Sequence, residues 1–149
     1  MNNLGRLLRE TKRQQEAEKV YLRALETFEK NPNDHRGSSQ MATTYANLGH
    51  CYADLGKFLE AEKAFRKALE LDQNIYGSRH IETATDMSNL GMFLMNRGRY
   101  LDAEPLLRSS LKIFESQVGK SNKLYVGTFH CLEGLKQRQL WAKMNFKKK

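Results

Sequence analysis

The four histidines and two cysteines are the side chains best suited to bind a metal ion, but their spacing does not favour a metal site. The histidines are His35, His50, His80 and His130. No pair of them has the H-E-x-x-H spacing or another fixed ligand spacing. Cys51 and Cys131 lie 80 residues apart and form no C-x-x-C pair. We therefore expect no metal ion and no cofactor, and we expect both cysteines to be reduced and packed in helices.

Acidic residues occur in two similar triplets that could supply paired carboxylates for acid–base catalysis. Glu-Ala-Glu at residues 60–62 returns as Asp-Ala-Glu at residues 102–104. A catalytic pair is needed once, whereas helix starts favour acidic side chains in every copy of a repeat, because these side chains interact with the helix dipole. The sequence also lacks a nucleophile elbow, a glycine-rich phosphate loop and a dinucleotide fingerprint. We therefore predict that the protein is not an enzyme.

An asparagine stands immediately before a Leu-Gly pair at three places, Asn3, Asn47 and Asn89. A carboxamide offers two donors and two acceptors, so it can pair with both the N–H and the C=O group of an extended peptide. The alternative is that each asparagine lies on a helix surface and bonds its own neighbours. The choice between these two interpretations depends on the elements that carry the asparagines.

Those elements belong to an internal repeat. Residues 45–71 return as residues 87–113 with a shift of 42 that keeps the Leu-Gly pair, the glycine of Gly56 and the acidic triplet in register. A first copy precedes them at a spacing of 44, although Lys12 replaces the glycine. Several matches in one register are the signature of a structural repeat.

Each copy of the repeat has the pattern of two amphipathic helices. Apolar residues from Tyr45 to Leu55 recur at helical spacing, and a second such stripe runs from Phe58 to Leu69. Between them Gly56 lies where a helix end needs a residue able to adopt positive φ. The pattern predicts an antiparallel helical hairpin, and the apolar surface left on each hairpin predicts that the hairpins stack.

The length and the charge of the chain limit the possible architectures and partners. A chain of 149 residues with 40% apolar and 28% charged residues predicts one domain. It contains no long apolar run or secretory signal, so we expect a cytoplasmic protein without membrane insertion. The net charge is +8, and residues 119–149 alone carry eight basic and one acidic side chain. Such a terminus is either a solvated tail or a surface for acidic partners.

The ordered repeat positions indicate a known family. They are Leu48, Gly49, Tyr52, Gly56, Phe58, Ala61, Phe65 and Ala68. This order resembles the signature of the tetratricopeptide repeat (TPR). The 42-residue period exceeds the common TPR period of about 34 residues by about one turn on each helix. With linkers such as IYGSRHIETA, which contains His80, the repeat is similar to the kinesin light chain type of TPR.

The resemblance implies an all-α fold, a right-handed superhelical solenoid of antiparallel helix pairs with a C-terminal capping helix. We predict a single TPR domain over residues 1–142 with repeats at about 1–38, 39–80 and 81–122 and a closing helix at about 123–142. Residues 143–149 would form a basic tail. Met1 falls inside the first helix of the first repeat, so we expect either a fragment or a shortened product of a longer array.

The resemblance to peptide-binding TPRs also implies where a ligand binds. In those proteins the first helices of the repeats line a concave groove, and the residue before Leu-Gly faces inward. We therefore expect a scaffold that holds an extended peptide of a partner protein in this groove. The expected peptide-binding residues are Asn3, Arg6, Thr43, Asn47, His50, Thr85, Ser88, Asn89 and Met92.

Two other functions remain open. The shortened first repeat could leave an apolar end that stacks on another array, which would make the protein an assembly module that self-associates through its N-terminal end. The basic terminus could instead bind an acidic surface, with nucleic acid as a less favoured ligand because aromatic residues for base stacking are few there.

Overall fold

The structure is a computed structural model that describes residues 1–30 and 35–146. Within those ranges the chain forms seven α-helices joined by short turns and contains no β-strand. The helices are α1 (Asn2–Glu10), α2 (Gln14–Glu29), α3 (His35–Asp54), α4 (Phe58–Tyr76), α5 (Ile81–Asn96), α6 (Tyr100–Val118) and α7 (Lys123–Phe146). They divide into two compact units, Met1–Gly77 and Ser78–Lys149. No helix in the described ranges is long and apolar enough to cross a membrane.

Residues with positive φ end the first helix of each helical hairpin. Gly56 after α3 has φ 74° and Gly98 after α5 has φ 76°, which confirms the prediction made for Gly56. After α1 the same conformation is adopted by Lys12, with φ 61°. The N–H of Arg13 then donates to the carbonyl of Leu8 at 2.8 Å, as the N–H of Lys57 does to the carbonyl of Tyr52. The first turn therefore keeps the repeat geometry without its glycine.

The Leu-Gly pairs mark the places where two helices of a hairpin approach most closely. A Cβ atom added at Gly49 would lie 2.8 Å from two ring carbons of Phe65, and one added at Gly5 would lie 2.4 Å from the ring of Tyr21. In the second unit a Cβ at Gly91 would lie 2.8 Å from Cγ of Leu107. In each case the partner follows the glycine by sixteen residues. The glycine is required because the partner side chain occupies the space of a Cβ atom.

In the unit Met1–Gly77 the second hairpin, α3 and α4, packs on the first through α3. The shared core includes Leu8, Tyr21, Leu25, Leu48 and Cys51. Two polar contacts accompany it: the Thr44 hydroxyl donates to Oδ1 of Asn2 at 2.9 Å, and the Cys51 thiol donates to the Gln14 carbonyl at 3.1 Å. Within this unit the hairpins stack, as the apolar stripes predicted.

In the unit Ser78–Lys149 the hairpin of α5 and α6 is covered by α7. Leu90, Leu107, Phe114 and Leu135 are buried at their interface. Asn122 caps the N-terminus of α7, because its Oδ1 accepts a hydrogen bond from the N–H of Leu124 at 2.9 Å. The helix continues to Phe146, and residues 147–149 of the predicted tail lie outside the described ranges.

Candidate functional site

In the unit Met1–Gly77 the predicted peptide-binding residues lie on α1 and α3. Asn3, Arg6 and Thr43 are exposed, whereas Asn47 and His50 are half-buried. The His50 ring packs edge-on against Phe65, with 4.9 Å between the ring centroids. The interhelical packing therefore fixes the imidazole position, while the carboxamides on the same helices remain accessible.

Several of these side chains already have a partner within their own helix. The Thr43 hydroxyl donates to the carbonyl of Ser39 at 3.2 Å. The Arg6 guanidinium lies 3.9 Å from the carboxylate of Glu10, and both side chains are largely exposed. An exposed pair of this kind contributes little free energy. Arg6 is therefore free to exchange Glu10 for a ligand carboxylate at little cost.

The three asparagines differ from these residues. Within the described ranges the carboxamides of Asn3, Asn47 and Asn89 make no hydrogen bond with another protein group. All three are at least partly exposed. The alternative in which each asparagine bonds its own helix neighbours therefore finds no contact in its favour.

In the unit Ser78–Lys149 a cavity of about 190 Å³ brings together the four predicted residues of α5, which are Thr85, Ser88, Asn89 and Met92. Ser88 is 4% exposed, and its hydroxyl hydrogen-bonds that of Thr128 on α7 at 2.8 Å. The Thr85 hydroxyl donates to the carbonyl of Ile81 at 2.9 Å. These two hydroxyls are therefore bonded within the protein, whereas the Asn89 carboxamide makes no hydrogen bond among the described residues.

Four residues of α7 complete this cavity and were missed by the sequence analysis, namely Lys123, Leu124, Gly127 and Thr128. Lys123 is exposed and supplies a cation at the rim. A Cβ atom added at Gly127 would meet no atom within 4 Å, so the cavity is open at this point. The linker before α7 predicts where this helix begins, but it does not predict how far the helix lies from α5.

A larger cleft of about 600 Å³ lies in the unit Met1–Gly77, and no sequence argument predicted it. It is formed by α2, α3 and α4, with Leu22, Leu25 and Leu48 among its apolar residues. Glu26 and Glu29 line it from α2, and Glu60, Lys63 and Lys67 line it from α4. It can therefore accept an apolar surface with charged edges.

The thiols are placed for packing rather than for chemistry. Burial raises the pKa of the Cys51 thiol to about 11 and also raises the pKa of Cys131. Both are free thiols. Since a thiolate is the reactive form, these groups are inert near neutral pH. In the part of the chain that the structure describes, no three His, Cys, Asp or Glu side chains gather as a metal site.

Comparison with known families agrees with this geometry. Two family models, both described as tetratricopeptide repeat, match residues 40–116 and residues 1–31. The chain belongs to the tetratricopeptide repeat family. No curated protein matches the sequence.

Solved structures of TPR proteins share the fold. BtubC (BKLC) from P. vanneervenii is 20% identical with a TM-score of 0.78, and the match covers 91% of this chain and 53% of that one. A Podosopora anserina protein with nearly identical TPR-like repeats, provisionally assigned to the kinesin light chains, is 16% identical with a TM-score of 0.80, covering 91% of this chain and 64% of that one. The chain thus spans less than two thirds of either structure. The predicted repeat type and the all-α fold class are confirmed.

TPR repeats indicate that this chain is a scaffold for protein–protein interaction. The matched family is generally not catalytic. Because these solved structures are less than 25% identical to the chain, they show its fold and do not identify its ligand.

Proposed function

We propose that this protein is a cytoplasmic, non-catalytic scaffold that holds an extended peptide of a partner protein against the first helices of its repeats. The observation that carries the proposal is the set of three accessible carboxamides without a protein partner, Asn3, Asn47 and Asn89. They occupy one repeat position on α1, α3 and α5. Such groups can pair with peptide N–H and C=O groups regardless of the peptide side chains.

Side-chain preference would come from the residues beside the asparagines. The cavity of about 190 Å³ includes Met92, Phe114 and Leu124, so it suits one apolar side chain of the peptide. Lys123 at its rim would favour an acidic group nearby. On α1 and α3, Arg6 and His50 would be the corresponding selective residues.

The test is a binding measurement with a peptide selected from a random library on the purified protein. Replacing Asn47 and Asn89 together with alanine removes two backbone-pairing groups. At about 1 kcal/mol for each, the dissociation constant should rise about 30-fold. An unchanged dissociation constant, measured by isothermal titration calorimetry with unchanged helix content, would refute the role of the asparagines.

A pair of glycine variants tests the cavity on α7. Gly127→Leu should place a side chain at the cavity and weaken binding at least about tenfold, since an apolar anchor is worth more than 1 kcal/mol. Gly134→Leu is the matched control, because Gly134 lies on the same helix outside the cavity and an added Cβ there also meets no atom within 4 Å. Equal affinities of the two variants would exclude the cavity from the peptide site.

A second candidate function, assembly through the N-terminal end, is favoured by the apolar surface of α1. Leu4 is 51% exposed and Leu7 is 55% exposed. If this surface stacks on another array, Leu4→Ser with Leu7→Ser should abolish the concentration-dependent mass measured by sedimentation, and peptide affinity should persist.

Binding of an acidic surface by the C-terminal tail depends largely on Lys147, Lys148 and Lys149, which lie outside the described ranges. Deleting residues 143–149 tests it. Binding to anionic vesicles that survives the deletion would refute this role.

A further inference from the structure

The cleft formed by α2, α3 and α4 has an apolar interior, an acidic wall on α2 and a wall of mixed charge on α4. Leu22, at its edge, is 39% exposed, although a large apolar side chain gains by burial. Glu26 and Glu29 stand along α2, one turn apart and exposed. Within the described residues neither carboxylate forms an ion pair. The cleft can therefore bind an apolar surface with basic edges, because its apolar floor lies beside the Glu26 and Glu29 carboxylates, which form no ion pair within the described residues.

The other side of such a contact is present at the end of α7. Leu140, Trp141 and Met144 are 60%, 70% and 68% exposed. At 100° per residue they lie together on the side of the helix away from the buried Leu132 and Leu135. We call these three residues the α7 stripe. An exposed tryptophan beside two exposed aliphatic side chains is typical of an interaction surface.

The edges of the α7 stripe are basic. Lys143 lies beside Leu140 on one edge and Arg138 lies beyond Trp141 on the other, and both are exposed. Neither forms an ion pair within the described residues. The stripe thus matches the cleft in two independent respects, since both are apolar and the cations of one meet the anions of the other.

We propose that the α7 stripe of one molecule binds the cleft of a second copy of this chain. In the proposed contact, one basic edge of the α7 stripe lies beside Glu26 and Glu29. The other basic edge then faces the α4 wall, where Glu60 is exposed and forms no ion pair within the described residues. On the same wall Lys67 is already paired with Glu70 at 2.9 Å, which leaves Lys63 as the cation that opposes the basic edge.

The contact is of the head-to-tail kind, because the two surfaces that meet are different. Three side chains bury less area than a standard interface, so we expect a weak association with a dissociation constant of roughly 0.1 mM. Analytical ultracentrifugation from about 10 µM to about 1 mM should therefore show an increasing average mass.

Two variants, each with one defective surface, make the test specific. Trp141→Ser keeps the cleft and loses the centre of the stripe. Glu26→Lys with Glu29→Lys keeps the stripe and turns the acidic wall basic. Each variant alone should remain monomeric over the whole range. An equimolar mixture should form a 1:1 complex and nothing larger, because only one intact cleft and one intact stripe remain in each pair of molecules.

The outcomes separate this proposal from its rivals. A monomeric wild-type protein, or a mixture that stays monomeric, overturns it. Wild-type association that survives Trp141→Ser overturns it too and points to the α1 surface. Leu101→Ser is the matched control, since Leu101 is 84% exposed on α6 and should leave the association unchanged.

Folding failure does not obscure the test. The substituted side chains of both variants are exposed, so helix content measured by circular dichroism should not change. Met144→Ser provides an independent defect in the same stripe and should give the same monomer. Trp141→Ser should leave the affinity for a selected peptide unchanged, so the failure of this proposal and the failure of the peptide site are distinguishable.

Discussion

Replacing Gly49 with alanine should destabilise the protein, although alanine is the better helix former. The added Cβ atom would lie 2.8 Å from both Cδ1 and Cε1 of Phe65 and 3.0 Å from its Cγ. Carbon atoms pack best at about 3.5–4.0 Å. Phe65 is 2% exposed, so its ring is enclosed and cannot swing into solvent. Relief of the overlap therefore requires α3 and α4 to move apart.

The magnitude follows from two opposing terms. Overpacking of an enclosed site costs about 1–3 kcal/mol, and contact with three ring atoms places this site near the upper value. The change from glycine to alanine inside a helix returns about 1 kcal/mol. The net loss in the free energy of unfolding is then about 2 kcal/mol. For a chain of this length, that loss lowers Tm by about 4–8 °C.

Urea unfolding followed by circular dichroism measures this difference. Gly134→Ala on α7 is the control, because an added Cβ there meets no atom within 4 Å. It should gain about 1 kcal/mol from helix propensity alone. Gly49→Ala and Gly134→Ala should therefore differ by about 3 kcal/mol in opposite directions from the wild type. If both variants were equally stable, the close approach of α3 and α4 at Gly49 would be refuted.

Three further predictions concern the unit Met1–Gly77. Lys12→Gly should raise the free energy of unfolding by about 0.5–1 kcal/mol in urea titrations, because relief of positive φ at Lys12 outweighs the flexibility of glycine. Gly56→Ala, at φ 74°, should lower the free energy of unfolding by a similar amount. A less stable Lys12→Gly variant would contradict the argument. Tyr21→Phe should raise the free energy of unfolding by about 1–2 kcal/mol, because the Tyr21 hydroxyl is buried and has no hydrogen-bond partner among the described residues. A destabilised variant would mean that the hydroxyl does form a hydrogen bond. Burial raises the pKa of Tyr21 from 10.0 to about 12 and that of Cys51 from 9.0 to about 11. Burial favours the neutral forms of both groups, so the free energy of unfolding in urea should be constant up to pH 9 and decline from pH 9 to pH 12. Tyr21→Phe should remove the part of this decline that lies above pH 10. An equal decline in that variant would refute the assignment to Tyr21.

The helical hairpins could be predicted from the sequence because their determinants are local. Gly56 stands at the end of one apolar stripe and before the next, and its φ of 74° is what such a helix end requires. Lys12 shows where local preference stops being decisive. It has positive φ although lysine disfavours it, because Tyr21 packs against Gly5 and so sets how α2 returns along α1.

The pockets could not be predicted in the same way, because they join residues that are distant in sequence. The Ser88 hydroxyl, for example, hydrogen-bonds that of Thr128, forty residues later. The cleft likewise combines Leu22, Tyr45 and Ala64 from three helices. Repeat periodicity reports which residues share a face of a helix, but cavity walls depend on the distance between helices, which periodicity does not encode.

The two proposed binding surfaces meet in α3, and its geometry determines whether they can act together. At 100° per residue, Thr43, Asn47 and His50 fall within about 60° of one another, and Tyr45, Leu48 and Tyr52 fall on the opposite side. The first three belong to the proposed peptide site, and the other three line the cleft. A peptide on one side therefore does not obstruct a second molecule on the other. Simultaneous occupation is expected, so saturation with a selected peptide should leave the sedimentation-derived association unchanged; competition between the two would show that the surfaces are not on opposite sides of α3.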